Sequence, residues 1–196
     1  QKTVQIFRKT RVMHGGEKYQ LKDRHFPTID WENPYALSQE EEIVVKQLKN
    51  AFIQCEKLQK HVHFLYKKGS LYKKYNGNLL FHGCVPMNSD GSFKKVKIFG
   101  KEYSGRRLYD ILEDYARKGY YAHDKEEKKK GLAILWFIWI NKNSPVYGKE
   151  KMATFERYFL EDEEIKKENT NPYYDFVESE KVVNSILRDF GLDENG

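Results

Sequence analysis

The chain has 196 residues, of which 39% are hydrophobic and 15% aromatic, with 14 tyrosines. That suits a folded chain with a core and argues against disorder, although 33% of the residues are charged. The 35 basic and 29 acidic residues leave a formal charge of only +6, weak support for nucleic-acid binding and equally suited to a small anionic substrate such as a sugar phosphate.

From Val4 to Leu21 apolar and polar residues alternate around Gly15-Gly16, which predicts a β-hairpin in which Met13 and His14 are ordinary strand residues. Asp23 to Pro34 holds two prolines and a tryptophan and reads as an irregular connection, so residues 1–37 form a hairpin and connection. Ser38, with Glu41 three residues on, is a capping-box signal. Val44, Leu48, Ala51, Cys55, Leu58, Val62 and Leu65 then continue one apolar seam, predicting a single long amphipathic helix over 38–68 that ends at Gly69. The seam is expected to pack on its own domain, and it is also the element best placed for contact between copies in a homo-oligomer. His61 and His63 lie two apart on this helix, point away from each other and cannot share a metal ion.

Residues 69–103 read as strands. Leu71 to Tyr75 and Asn78 to His82 flank Asn76-Gly77, a strong hairpin signal. His82 stands at the end of an apolar strand and is followed at once by Gly83, so its ring can reach a cleft; a half-buried structural histidine is the other reading of the same pattern. Asn88 to Ser92 is a turn, and Lys95 to Tyr103 reads as a strand pair broken at Gly100.

Residues 104–196 read as a mainly helical insertion or cap region. Ser104 can cap a helix with the seam Leu108, Ile111, Leu112 and Tyr115, ending at Gly119. Arg106 in its first turn suits an anion or a solvated face. His123 to Lys130 is a charged loop or exposed helix end whose interleaved acids speak against a nucleic-acid patch. Leu132 to Ile140 is apolar on all sides, which predicts a buried helix. The loop after it brings Lys149, Lys151 and Arg157 among short turn residues, the chemistry of either a phosphate-binding loop or an exposed basic one. A final helix runs from about Phe176 to Phe190 and stops at Gly191.

Cys55 and Cys84 make neither a CxxC pair nor a disulfide framework, which points to a reducing, cytoplasmic setting. The longest apolar run is about half the ~20 residues of a membrane span, so no membrane contact is expected.

Four long strings carry a family resemblance: His25 to Asp30, Glu56 to Val62, Asn76 to Asn88 and Ser144 to Phe159. Together they closely resemble class III fructose-1,6-bisphosphatase, the Firmicutes type. The resemblance implies an α+β (α/β) fold, part of a metallophosphoesterase-type sandwich with β-hairpins, a long amphipathic helix and family-specific helical insertions. It implies a dinuclear Mn²⁺ centre that removes the 1-phosphate of fructose 1,6-bisphosphate in gluconeogenesis. Phe81-His82-Gly83 fits the strand-end histidine of such enzymes, so His82 is carried over as a metal ligand. No Gly-Asp, Asn-His or Gly-His pair occurs in the chain, so the other ligand motifs have no counterpart. Asp23-Arg24-His25 spells Asp-x-His but follows a charged segment and is not taken as one. The expectation is an internal fragment, inactive alone, with Arg106, Lys149, Lys151 and Arg157 as candidate contacts to substrate phosphate. The alternative is a basic, non-catalytic module that binds nucleic acid or a protein partner.

Overall fold

The structure, a computed structural model, describes residues 5–7, 11–14, 17–22, 25–30 and 32–193. In chain order the elements are β1 (Gln5–Phe7), β2 (Arg11–His14), β3 (Glu17–Gln20), α1 (Gln39–Gln54), α2 (Glu56–Lys68), β4 (Tyr72–Tyr75), β5 (Asn78–Phe81), β6 (Val96–Ile98), β7 (Lys101–Tyr103), α3 (Gly105–Tyr121), α4 (Lys125–Ile140), α5 (Thr154–Phe159) and α6 (Glu180–Phe190). Helices and small antiparallel sheets make this an α+β architecture. The chain forms two units, Gln1–Phe64 with Ala153–Lys167, and Leu65–Met152 with Glu168–Gly196.

In the first unit β1, β2 and β3 form an antiparallel meander in which Ile6 pairs with Val12 and Val12 with Tyr19. The expected hairpin is therefore the second half of a three-stranded sheet. Its Gly15-Gly16 turn, like Asp23 and Arg24 of the Asp-x-His string, lies outside the described residues. Leu21 bridges to Leu160, and both are fully buried beneath Phe26, Phe155 and Phe159.

The capping box forms as its spacing implies. The Ser38 hydroxyl accepts from the Glu41 amide at 3.2 Å and the Ser38 amide donates to the Glu41 carboxylate at 2.8 Å. That bond, with a second from Thr28 at 2.7 Å, holds the Glu41 carboxyl below the usual range. The single helix expected over 38–68 is two. Cys55 adopts an extended conformation, φ −72° and ψ 97°, and ends α1. The Gln59 side-chain amide then reaches back to the carbonyl of Ile53 at 3.4 Å, taking up one acceptor that the break releases. No glycine or proline marks this break, so the apolar periodicity runs through it unaltered. The seam expected to pack on its own domain is open: no residue of α1 or α2 is buried, and Val44, Leu48 and Leu65 are 52%, 56% and 63% exposed.

In the second unit Asn76 and Gly77 both have positive φ, 48° and 75°, the turn geometry that matches strand twist in a two-residue hairpin. Phe99 and Gly100, at 45° and 88°, join β6 to β7 in the same way. Ser104 occupies the N-cap of α3 without a side-chain bond. Asp189 of α6 supplies the acceptor instead, taking the Arg106 amide at 2.6 Å. Val85, Met87, Tyr109, Ile186 and Phe190 form one core cluster; Val96, Ile98, Leu108, Leu112 and Ile134 form another. Tyr109 is the hub of the first, with Tyr72, Phe81 and Phe190 edge-on at 5.8, 6.1 and 5.4 Å.

α3 runs past Gly119, where its end was expected, to Tyr121. Gly119 is a contact point, because α4 folds back on α3 with Gly131 against it. A Cβ at Gly131 would lie 2.1 Å from the Gly119 nitrogen. Glycine to alanine inside a helix ordinarily stabilises by about 1 kcal/mol. Here Gly131→Ala is expected to destabilise by roughly 2–4 kcal/mol, since the helices must part; urea denaturation reads the sign directly.

The charged run His123 to Lys130 starts α4, capped by Asp124, whose carboxylate accepts the Glu127 amide at 2.8 Å. The expectation that Leu132 to Ile140 is buried on every side is corrected. Gly131 and Ile134 are buried, whereas Leu132, Trp136, Trp139 and Ile140 are 53%, 50%, 68% and 41% exposed. α4 packs on α3 and partly buries Phe137 and Ile138 against the second core cluster, which leaves these four apolar residues largely open. No helix among the described residues is long and apolar enough to cross a membrane.

Candidate functional site around His82

β5 ends at Phe81, and the next four residues turn the chain into the core. His82 is exposed and Gly83 takes φ 90°, a left-handed value that costs glycine nothing. The Cys84 amide then donates to the Pro145 carbonyl at 2.8 Å. The approach at Gly83 is close enough that a Cβ there would lie 2.1 Å from the same carbonyl oxygen. Two strings some sixty positions apart, around His82 and around Ser144-Pro145, are thereby locked backbone to backbone.

Ser144, fully buried, holds the second string in shape. Its hydroxyl donates to the Ile138 carbonyl at 2.7 Å and accepts from the Val146 and Tyr147 amides at 3.2 and 3.3 Å. The Tyr109 hydroxyl donates to the Cys84 carbonyl at 2.8 Å, and the Asn171 side chain accepts the Met87 amide at 3.1 Å. Burial pushes the Cys84 thiol up to about 12 and raises Tyr109 as well, so neither ionises near neutral pH. Cys84 and Tyr109 are buried core residues that supply no nucleophile.

His82 looks onto an open cavity of about 680 Å³ that is also lined by Lys68, Ser70, Tyr72, Lys73 and Val146. Among the described residues no group of three or more His, Cys, Asp or Glu side chains could hold a metal ion. His82 thus presents an exposed imidazole at a strand end, and among the described residues no cluster of ligand side chains completes a coordination shell around it.

The four residues expected at substrate phosphate do not line this cavity. Arg106 sits at the start of α3 with its Nε 3.8 Å from Asp110 and without a hydrogen-bond partner among the described residues. Lys149 donates to Glu168 at 2.7 Å, an ion pair in which the Glu168 side chain is 8% exposed, so this ammonium is already engaged. Lys151 is half-buried in the loop that follows, and Arg157 is exposed on α5, in the first unit. The basic residues that line the His82 cavity are Lys68 and Lys73. Sequence reasoning used them only as a helix end and a strand residue. The hairpin register was the available signal, because pairing Tyr72 with Phe81 and Lys73 with Leu80 brings β4 alongside the His82 strand end.

A family profile described as Firmicute fructose-1,6-bisphosphatase matches residues 3–196. The chain belongs to this family. It is 47% identical over 179 residues to the class 3 fructose-1,6-bisphosphatase of Clostridium tetani (strain Massachusetts / E88), covering 91% of this chain and 27% of that protein. It is 49% identical over 176 residues to that of Clostridium botulinum (strain Langeland / NCTC 10281 / Type F), covering 89% and 26%. For Clostridioides difficile (strain 630) the identity is 49% over 179 residues, covering 91% and 27%. The chain therefore spans about a quarter of the length of the curated fructose-1,6-bisphosphatases it matches. No solved structure matches it.

Proposed function

We propose that the chain is part of a cytoplasmic, metal-dependent fructose-1,6-bisphosphatase that removes the 1-phosphate of fructose 1,6-bisphosphate in gluconeogenesis, and that His82 is one ligand of its dinuclear Mn²⁺ centre. The observation that carries this is the family match combined with an exposed histidine at the end of β5, fixed by the Gly83 turn and facing a cavity of about 680 Å³. The fold of the whole would be a metallophosphoesterase-type sandwich, with residues 104–196 as a mainly helical insertion. The open apolar seam of α1 and α2 supports self-association through residues 38–68.

The residues present do not make the metal centre by themselves. Two divalent ions need several converging carboxylate and imidazole ligands, and the described residues offer one. The rest of the centre would come from the remaining three-quarters of the polypeptide. The full-length protein with fructose 1,6-bisphosphate and Mn²⁺ is expected to release inorganic phosphate, and the isolated 196-residue chain to release none above the metal-only background. Silence from the full-length protein overturns the activity. Release by the isolated chain at the full-length rate overturns the incompleteness of its metal site.

A further inference from the structure

We propose that Lys68 and Lys73 form a phosphoryl-binding subsite beside His82, which takes the phosphate of the sugar bisphosphate that is not being hydrolysed; this rests on the fructose-1,6-bisphosphatase reading above. Lys68 closes α2 and Lys73 lies on β4, paired with Leu80 and so next to the strand that delivers His82. Both lysines and His82 border one open cavity of about 680 Å³, within the usual range for a small-molecule site. No carboxylate lines that cavity among the described residues.

Both lysines also border a neighbouring cavity of about 550 Å³, where Asp110, Glu113 and Asp114 stand. Those three acids are already engaged. Glu113 pairs with Arg117 at 2.7 Å and accepts the Ser70 hydroxyl and Leu71 amide at 2.8 and 2.9 Å. Asp110 accepts the Tyr72 hydroxyl at 2.9 Å, and Asp114 pairs with Lys118 at 3.1 Å. The adjacent Lys74 is spent on the Phe190 carbonyl at 3.0 Å. Lys68 and Lys73 are left with no ion-pair partner among the described residues.

Two cations without an ion-pair partner beside one open cavity raise the local potential for an incoming dianion, and each can donate a charge-assisted hydrogen bond to it. The ligand class follows from the layout. A sugar bisphosphate with its reacting phosphate at the metal side, marked by His82, presents its other phosphate elsewhere on the same cavity. A lysine-lined, acid-free wall is the chemistry that selects such a substrate over a monophosphate ester.

The test uses the full-length enzyme carrying Lys68→Gln, Lys73→Gln or both, assayed with fructose 1,6-bisphosphate and with fructose 1-phosphate, which lacks the second phosphate. KM for the bisphosphate is expected to rise about 10-fold for each lysine lost and about 100-fold for both, with kcat within about threefold of the unmodified enzyme. Hydrolysis of fructose 1-phosphate should be unchanged, and Lys73→Arg should keep the bisphosphate KM low. An unaltered KM for the bisphosphate overturns the subsite while leaving the phosphatase reading intact. Equal losses on both substrates overturn it too, because they place the lysines at the reacting phosphate or in the fold. If the unmodified enzyme does not hydrolyse the bisphosphate, the underlying reading falls and the subsite with it.

Discussion

His82→Ala in the full-length enzyme is expected to lower kcat toward fructose 1,6-bisphosphate by about 10³-fold or more. Removing groups that merely orient a metal ligand costs about 10–100-fold, so losing a ligand itself, the role proposed for His82, must exceed that. The same substitution should barely alter stability. His82 is exposed at the end of β5, outside both core clusters of its unit, and surface substitutions of this kind usually change stability by within about 0.5 kcal/mol. An inactive variant with an unchanged melting temperature and weakened Mn²⁺ dependence is the expected combination. Near-normal turnover would remove His82 from the metal centre. Loss of activity together with a large fall in melting temperature would assign it to the fold instead.

The neighbouring position should behave in the opposite way. Gly83→Ala is expected to destabilise the chain by roughly 3–5 kcal/mol, in the upper tail for single substitutions. Two costs combine there. A left-handed backbone at φ 90° strains any residue with a Cβ, by about 1–3 kcal/mol. The new methyl would also lie 2.1 Å from the Pro145 oxygen and 3.0 Å from that of Val146. Relief requires the end of β5 to move off residues 144–148, which breaks the Cys84 to Pro145 hydrogen bond and unseats the buried Val85 and Met87. Gly77 provides the comparison. It has a similar φ of 75° but nothing within 4 Å of a Cβ, so Gly77→Ala should cost only the backbone strain, about 1 kcal/mol. Equal effects at the two glycines, read by equilibrium denaturation, would show that the contact at Pro145 contributes nothing.

Much of the local structure was legible in the residues because local chemistry decides it. Ser38 and Glu41 cap a helix through bonds across one turn, and Asn76-Gly77 closes β4 on β5 because both residues accept positive φ. The readings that failed were those that asked a local pattern for a tertiary answer. The seam from Val44 to Leu65 is continuous in sequence, yet the backbone leaves the helix at Cys55 without a glycine or proline to announce it. The apolar run from Leu132 to Ile140 specifies that α4 has an apolar surface on all sides, but only the layers available to pack on it decide how much is covered, and here Ile134 is covered while Trp139 is not. Gly119 reads as a stop in the sequence and is a helix crossing in space, since only a second glycine at 131 explains it.

The site divides along the same line. The strings around His82 and Ser144 determined the family, and the glycine after His82 determined that the chain turns there, because both depend on residues adjacent along the chain. Which cations share the histidine's cavity was a question of register and packing. Arg106, Lys149, Lys151 and Arg157 are basic residues near turns, but none of them lines that cavity, and the Lys149 ammonium is held by Glu168. Lys68 and Lys73 reach it because the β4–β5 pairing and the end of α2 carry them there. Side-chain charge is written in the sequence, whereas its availability to a ligand depends on which opposite charges the fold places within reach.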